Sequence, residues 1–101
     1  MFEINNEIWK IKLVSPHHPK LRGNNSYYTI GSCDDVTKTI YINQEITDDK
    51  LLKKVLCHEI THAVMFSYNI DISDYEHELI ADLIATYGEQ IITLTNFFMG
   101  T

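Results

Sequence analysis

Residues 58–62 read His-Glu-Ile-Thr-His, and this spacing constrains the fold and the chemistry more than any other feature of the chain. In an α-helix, residues four positions apart lie one above the other on the same face. His58 and His62 could therefore bind one zinc ion between them. Glu59 lies about 100° around the helix from His58, close enough to take a proton from water activated by that ion. The motif predicts two zinc ligands and a general base.

The helix that carries this motif is predicted to begin at Thr47 or Asp48, either of which can cap it, and to end near Ser67. Val55 shares the side of the motif. The other sides are apolar, with Leu52, Leu56, Ile60 and Ala63. A helix that is apolar on nearly every side is typical of a buried helix. Polar groups on such a helix need a partner, and we expect a metal ion; the alternative is a buried helix with two incidental histidines.

A second helix is predicted to start at Ser73, because Ser73 and Glu76 match a capping box. It extends to Tyr87 or, past Gly88, as far as about Phe97. Its apolar residues, which we expect to pack in the core, are Leu79, Ile80, Leu83 and Ile84.

The second helix also carries a narrow acidic stripe, formed by Glu78 and Asp82. Two buried carboxylates one turn apart repel each other unless positive charge lies near them. A zinc ion bound by Glu78 would supply it, and so would the N–H of a ligating histidine held by Asp82. The structural alternative is ion pairing, with Lys53, Lys54 or Arg22 as partners. His77 is the competing third ligand, but it lies about 100° from Glu78, which favours a histidine at the surface or the cleft rim.

The N-terminal half is predicted to form a three-stranded twisted sheet. Its strands are expected at Glu7–Val14, Tyr27–Ser32 and Thr39–Asn43, with a loop over residues 15–26 and a turn over 33–38. In the first strand, Trp9, Ile11 and Leu13 alternate with lysines, which is typical of a half-buried strand. The prediction is one α+β domain over residues 1–101, divided into a sheet (1–46), an active-site helix (47–67) and a C-terminal helix (73–97).

Composition limits the partners and the environment. The net charge of −6 argues against nucleic acid, since a phosphate-binding surface needs a basic face. No apolar stretch approaches about 18 residues, so no membrane span is expected. The N-terminus lacks the basic region and apolar run of a signal peptide, and two cysteines are too few for a disulfide framework. We expect a cytoplasmic protein.

The two motifs together resemble the gluzincin pattern of zinc metallopeptidases, HExxH followed by ExxxD. The resemblance spans about residues 39–88, and the short chain is similar to minigluzincins and to small phage-encoded metallopeptidases related to the ImmA/IrrE group. It implies a small zincin-like domain of bacterial, phage or prophage origin. The metzincin pattern, HExxHxxGxxH, does not fit, because Met65 and Tyr68 replace its glycine and its last histidine.

The resemblance implies a role for each matching residue. His58, His62 and Glu78 would bind one catalytic Zn²⁺, Glu59 would be the general base, and Asp82 would support a ligand. An extended peptide or protein substrate would add to the edge strand at residues 27–32, where Tyr28 and Ile30 would contact it. Tyr68, Tyr87 and His77 lie near the motifs, and any of them could donate a hydrogen bond to the tetrahedral oxyanion.

Two other functions stay open. One is a catalytically silent zinc domain that serves as a structural or regulatory module. The other is a regulatory protease that cleaves one partner, such as a repressor. A tail such as Asn96–Thr101 could also occupy the cleft of its own or a neighbouring chain, so both a monomer and a latent homo-oligomer are compatible with the sequence.

Overall fold

The computed structural model describes residues 1–23 and 27–100. Its elements in chain order are strands β1 (Phe2–Ile4) and β2 (Glu7–Val14), a short 3₁₀ helix (Pro19–Leu21), strands β3 (Gly31–Asp34) and β4 (Thr39–Asn43), and helices α1 (Asp49–Ser67) and α2 (Asp74–Met99). The sheet packs against α1, and α2 packs against α1. The predicted α+β class is confirmed.

The sheet has four strands in the order β1-β2-β4-β3, so the prediction of three strands was wrong. The additional strand, β1, pairs antiparallel with β2 across a turn at Asn5 and Asn6. Both asparagines have positive φ, 48° and 65°, as the central residues of a type I′ turn do. Three residues are too few to show a strand period, but Asn-Asn between two apolar runs is a hairpin signal that sequence reasoning missed.

The two central strands, β2 and β4, have the predicted bounds and pair in parallel. Ile40 and Ile42 of β4 are fully buried. In β2, Trp9 is fully buried, but Ile11 and Leu13 are exposed. Since Ile11 pairs with Ile40 in the sheet, α1 covers β4 more completely than β2.

The second predicted strand was misplaced, because β3 is Gly31–Asp34 rather than Tyr27–Ser32. Residues 27–29 instead pair with the preceding loop, where Gly23 N donates to Tyr27 O and Thr29 N to Leu21 O, both at 2.7 Å. Those bonds satisfy the backbone locally and override the strand propensity of the tyrosines.

Two connections differ from the predicted lengths. The predicted loop over 15–26 contains the 3₁₀ helix, and its residues 24–26 lie outside the described part of the chain. The turn before β4 covers residues 35–38 rather than 33–38. Asp34 fixes this turn, because its Oδ1 accepts a hydrogen bond from Val36 N at 2.9 Å. The result is a hairpin in which β3 is an edge strand of the sheet, antiparallel to β4.

The core lies between the sheet and α1. Its buried centre consists of Trp9, Ile40, Ile42, Val55 and Ala63. The indole N–H of Trp9 donates to Ser67 Oγ at 2.8 Å, and Asn5 Nδ2 donates to the Ser67 carbonyl oxygen at 2.9 Å. These bonds attach the last turn of α1 to the β1–β2 hairpin and so fix how α1 crosses the sheet.

Helix α1 begins after Asp48, whose side chain accepts a hydrogen bond from Lys50 N at 3.0 Å, and it ends at Ser67 as predicted. Its motif side is buried. The expectation that α1 is buried on nearly every side was wrong. Leu52, Leu56 and Ile60 are only half-buried and face a groove on the side away from the motif.

Helix α2 starts with the predicted capping box of Ser73 and Glu76, but it continues through Gly88 to Met99, beyond the predicted end. The expectation that Leu79, Ile80, Leu83 and Ile84 pack in the core was wrong. Leu79, Leu83 and Ile84 are exposed, Ile80 is half-buried, and Ala81 is completely buried. Within residues 1–23 and 27–100, no helix combines the length and the apolar character needed to cross a membrane.

Candidate metal centre

Helices α1 and α2 form an antiparallel pair that brings the two motifs to one place. The contacts between them run in opposite directions along the two helices, from Lys53–Glu89 at one end to His62–His77 at the other. Ala81 is completely buried in α2, and its small side chain lets the helix backbones approach closely. The predicted ion-pair alternative is not observed for Lys53, which pairs with Glu89 at 2.5 Å.

Three potential ligand atoms converge between the helices. His58 Nε2 lies 3.2 Å from His62 Nε2 and 3.2 Å from Glu78 Oε2, and His62 Nε2 lies 3.0 Å from Glu78 Oε1. Zinc ligands at about 2.0–2.1 Å from a tetrahedral ion are separated from one another by about 3.3 Å. The three side chains form a group that could hold a metal ion, and their spacing fits a zinc-sized cation.

Asp82 orients the first of these histidines, although the prediction that Glu78 and Asp82 are buried was wrong, because their side chains are 61% and 69% exposed. Asp82 Oδ1 lies 2.9 Å from His58 Nδ1, one helical turn from Glu78 on the same face of α2. A carboxylate that accepts the Nδ1–H of a histidine fixes its tautomer and directs the Nε2 lone pair away from the carboxylate. Asp82 thus leaves His58 Nε2 free to bind a cation.

His77 orients the second histidine, a role that sequence reasoning missed. The ring planes of His62 and His77 differ by 7°, with centroids 4.9 Å apart and Nδ1 atoms 2.6 Å apart. Two nitrogens can be so much closer than the centroids only when the rings meet edge to edge in one plane. If His62 Nε2 is a ligand, its Nδ1 carries the proton and donates it to His77 Nδ1. The offset between the two antiparallel helices decides which residue of α2 faces His62, and this offset does not follow from the period of either helix.

Burial keeps the His62 imidazole neutral. It lowers the pKa of His62 below its ordinary value of 6.5, while the nearby Glu78 carboxylate opposes the shift. A neutral imidazole is the form that binds a metal ion. Cys33 also lines the cleft, where burial and then Glu59 raise the pKa of its thiol.

Glu59 is a buried carboxylate beside the ligand group. It is 7% exposed, and burial raises its pKa from 4.5 to about 7. The electrostatic interaction with His58 opposes this shift, and that with Glu78 adds to it. A carboxyl group with a pKa near neutrality can both accept and release a proton at physiological pH.

Gly31, at the start of β3, is a further residue of this centre that sequence reasoning missed. A Cβ atom at this position would lie 2.8 Å from Val55 Cγ1 and 3.2 Å from Glu59 Oε2. The absence of a side chain therefore lets the edge strand approach the Glu59 carboxylate directly. The glycine could be located only once β3 had been placed beside α1.

The ligand group opens into a cleft of about 720 Å³. Helix α1 contributes Lys54, His58, Glu59 and His62 to its lining, α2 contributes His77 and Glu78, and the edge-strand side contributes Thr29, Ile30, Gly31, Ser32 and Cys33. Its size lies within the range of small-molecule and peptide subsites. The cleft joins a group that could hold a metal ion to the edge strand of the sheet.

The residues predicted to contact substrate fall into two groups. Ile30 and His77 line the cleft. Tyr28 is bridged to Arg22, and Tyr68 caps the C-terminal end of α1; both are exposed, and neither is among the described residues that line the cleft. Residues 96–99 of the tail belong to α2 and are likewise outside that lining, and Thr101 is beyond the described residues.

In comparisons with models of known protein families, with curated proteins and with solved structures, nothing matches this chain. The functional interpretation therefore depends on the geometry of the centre.

Proposed function

We propose that this protein is a zinc-dependent peptidase of the gluzincin type, with a zincin-like arrangement of the edge strand β3 and of helices α1 and α2. The observation that carries the proposal is the convergence of His58, His62 and Glu78 within zinc-ligand spacing, beside the buried carboxylate of Glu59. Isolated histidines or acidic residues are common. Three ligand atoms with an adjacent base of shifted pKa are typical of hydrolytic metal sites.

The donor set suits a catalytic zinc ion. Two imidazoles and one carboxylate are the ligands of a well-known class of hydrolytic zinc sites, and three protein ligands leave one coordination position for water or substrate. Bound there, zinc would polarise a scissile carbonyl group and lower the pKa of a water molecule. Asp82 and His77 hold the two imidazoles with their Nε2 atoms toward Glu78.

Glu59 would act as the general base and then as the acid. Its carboxylate would accept a proton from the attacking water and deliver the same proton to the leaving amine. The close approach of Gly31 restricts the carboxylate to the space between β3 and α1. Such restriction favours proton transfer, because a base must lie within hydrogen-bond reach of the proton that it takes.

The edge strand supports a polypeptide as the substrate class. Strand β3 lies at the end of the sheet, and its residues 31–33 line the cleft together with Ile30. An extended peptide can add to such an edge through main-chain hydrogen bonds, which would bring a scissile bond past the ligand group. Strand β4, inside the sheet, has both neighbours already in place.

The first test measures zinc stoichiometry and affinity. The purified chain should bind one zinc ion, and His58→Ala, His62→Ala and Glu78→Ala should each lose stoichiometric binding. Glu89→Gln is the matched control, because this glutamate is exposed on the same helix but pairs with Lys53 outside the centre. A protein that binds no zinc, or Glu78→Ala that retains full occupancy, would refute the proposed centre.

The second test separates catalysis from metal binding. Glu59→Gln should keep zinc but lose about 10²–10⁴-fold or more of the hydrolysis rate on a library of quenched fluorescent peptides. A zinc-loaded protein whose biological effect survives Glu59→Gln would instead be the catalytically silent module. Cleavage of one protein partner with poor activity on generic peptides would identify the regulatory protease.

A further inference from the structure

One side of α2 is an apolar stripe that faces away from the metal centre. Leu83, Tyr87, Ile91, Leu94 and Phe98 follow one another at steps of three or four residues. On a helix these positions fall within an arc of about 80°. Each of the five side chains is more than half exposed, whereas Glu78 and Asp82 lie on the opposite side of the helix.

The second half of α2 extends past the rest of the domain. Every residue from Glu89 to Gly100 is exposed. The radius of gyration is 14.5 Å, against about 13 Å for a compact chain of this length. An isolated helix of this length is only marginally stable in water, so a projecting segment with an apolar stripe is typical of a helix that packs against a partner.

A groove on α1 has the length and character to receive this segment. It is lined by Leu52, Leu56, Ile60 and Val64 on the side of α1 opposite His58, and by Ile84 of α2. From Leu52 to Val64 it measures about 18 Å along the helix, and residues 90–100 span about 16 Å. The groove and the stripe meet at Ile84, so they form one continuous apolar surface.

Charge decides between the kinds of partner that could cover this surface. Residues 90–101 include no Asp, Glu, Lys, Arg or His, although the whole chain has a net charge of −6. An anionic membrane or a nucleic acid would require basic residues here. The stripe is uncharged, and the groove is apolar over Leu52, Leu56, Ile60 and Val64, with Asp49 and Lys53 at one end, where Lys53 pairs with Glu89. The apolar parts of the groove and the stripe are therefore complementary to each other on two molecules of the same chain.

The area is sufficient for a stable dimer. A large side chain that is half exposed leaves roughly 100 Å² to be covered, and the less exposed groove residues leave roughly half of that. Five stripe residues and four groove residues then total on the order of 700 Å² in each copy. This is close to the 800 Å² or so per partner of a standard interface.

We propose that two copies of this chain pair through this surface, with the projecting stripe of each copy lying along the α1 groove of the other. Such an arrangement is two-fold symmetric, because the same two surfaces meet twice. It leaves both clefts accessible on the far sides of the two α1 helices. The proposal is independent of the metal centre and of any catalytic activity.

Sedimentation velocity of the full chain, with and without zinc, tests the pairing. The unsubstituted protein should sediment as a dimer of two 11.7 kDa chains. Leu94→Glu in the stripe and Val64→Lys in the groove should each weaken dimerisation by at least 100-fold. Tyr75→Glu is the matched control, an exposed residue on the far side of α2, and it should leave the dimer intact.

Mixing the two disruptive variants tests whether the stripe of one chain lies in the groove of the other. A Leu94→Glu chain and a Val64→Lys chain should form a heterodimer, because one contact is then unsubstituted and the other joins Glu to Lys. Circular dichroism verifies that each variant is folded. A chain that is monomeric at about 0.1 mM, a dimer that survives Leu94→Glu, or a mixture that stays monomeric would overturn the proposal. So would a monomer that binds phosphatidylcholine vesicles, since the stripe would then be a lipid-binding surface.

Discussion

Replacing Glu59 with glutamine should stabilise the metal-free protein at neutral and alkaline pH. The folded state raises the pKa of Glu59 from 4.5 to about 7, so it retains this proton to higher pH than the unfolded state does. Between those pH values, ionisation therefore favours unfolding. At about 1.4 kcal/mol for each tenfold change in proton concentration, the full interval corresponds to about 3 kcal/mol. Glutamine has the same shape and never ionises, so it removes that cost.

The difference should depend on pH in a defined way. At pH 8, Glu59→Gln should be about 3 kcal/mol more stable than the unsubstituted protein. At pH 5 and below, this difference should fall to about 1 kcal/mol or less. Urea unfolding in the presence of a chelator measures this difference. A change of about 3 kcal/mol in the free energy of unfolding moves the urea midpoint by about 2 M when the m-value is about 1.5 kcal/mol/M. The lowered pKa of His62 affects the free energy of unfolding of both proteins, so its effect cancels in the difference between them.

The matched control is Glu3→Gln, whose carboxylate is at the surface and whose substitution should leave stability nearly unchanged at every pH. The reasoning would be refuted by a Glu59→Gln variant that is less stable at pH 8, or by a stability difference that does not change between pH 5 and pH 8. Either result would mean that burial does not hold the proton on Glu59.

Three further predictions concern residues around the centre and the core. His77→Ala should weaken zinc binding by about 10–100-fold in a competition titration, because a ligating histidine loses the acceptor that orients it. Gly31→Ala should lower kcat/KM for peptide hydrolysis by at least about 10-fold without loss of zinc, because the new Cβ overlaps Val55 Cγ1 and crowds the Glu59 side chain. Ser67→Ala should reduce the free energy of unfolding by about 1–3 kcal/mol in urea, because the Trp9 indole N–H loses its buried acceptor.

Val36→Ala, at an exposed turn, serves as the common control for these three variants. Unchanged zinc affinity in His77→Ala would show that the edge-to-edge histidine pair does not support the ligand. If Gly31→Ala lost both zinc and activity, the substitution would act on the zinc ligands rather than on the general base Glu59. An unchanged unfolding free energy in Ser67→Ala would mean that water replaces the hydroxyl group.

The parts of the fold that the sequence could predict are those governed by local rules. The alternation in β2 and β4, the Asp48 cap and the Ser73–Glu76 capping box depend on neighbouring residues only. Strands β1 and β3 depend on their pairing partners. Tyr27 and Tyr28 have strong strand propensity, yet the local loop satisfies the backbone at residues 27–29, and the edge strand forms four residues later.

The candidate metal centre likewise has some features that local spacing predicts and others that depend on how the elements pack. The i and i+4 spacing alone predicts that His58 shares a helix face with His62, and that Glu78 shares one with Asp82. The position of His77 depends on how α2 is offset along α1, and that of Gly31 depends on which residues of β3 face α1. Neither quantity follows from the period of a single helix or strand.

The apolar residues of α2 show the limit of periodicity most directly, because periodicity identifies residues that share a face but not what covers that face. Leu79, Leu83 and Ile84 were expected to be core residues, yet in the described part of the chain α2 packs mainly against α1, and those side chains are exposed. Helix α2 also supplies Glu78, so the third ligand that we propose would lie on a helix that packs mainly against one neighbour. In the dimer that we propose, the partner's α1 would hold the opposite side of the same helix. Pairing of two chains would then cover the projecting half of α2 and leave the cleft on the other side of α1 open.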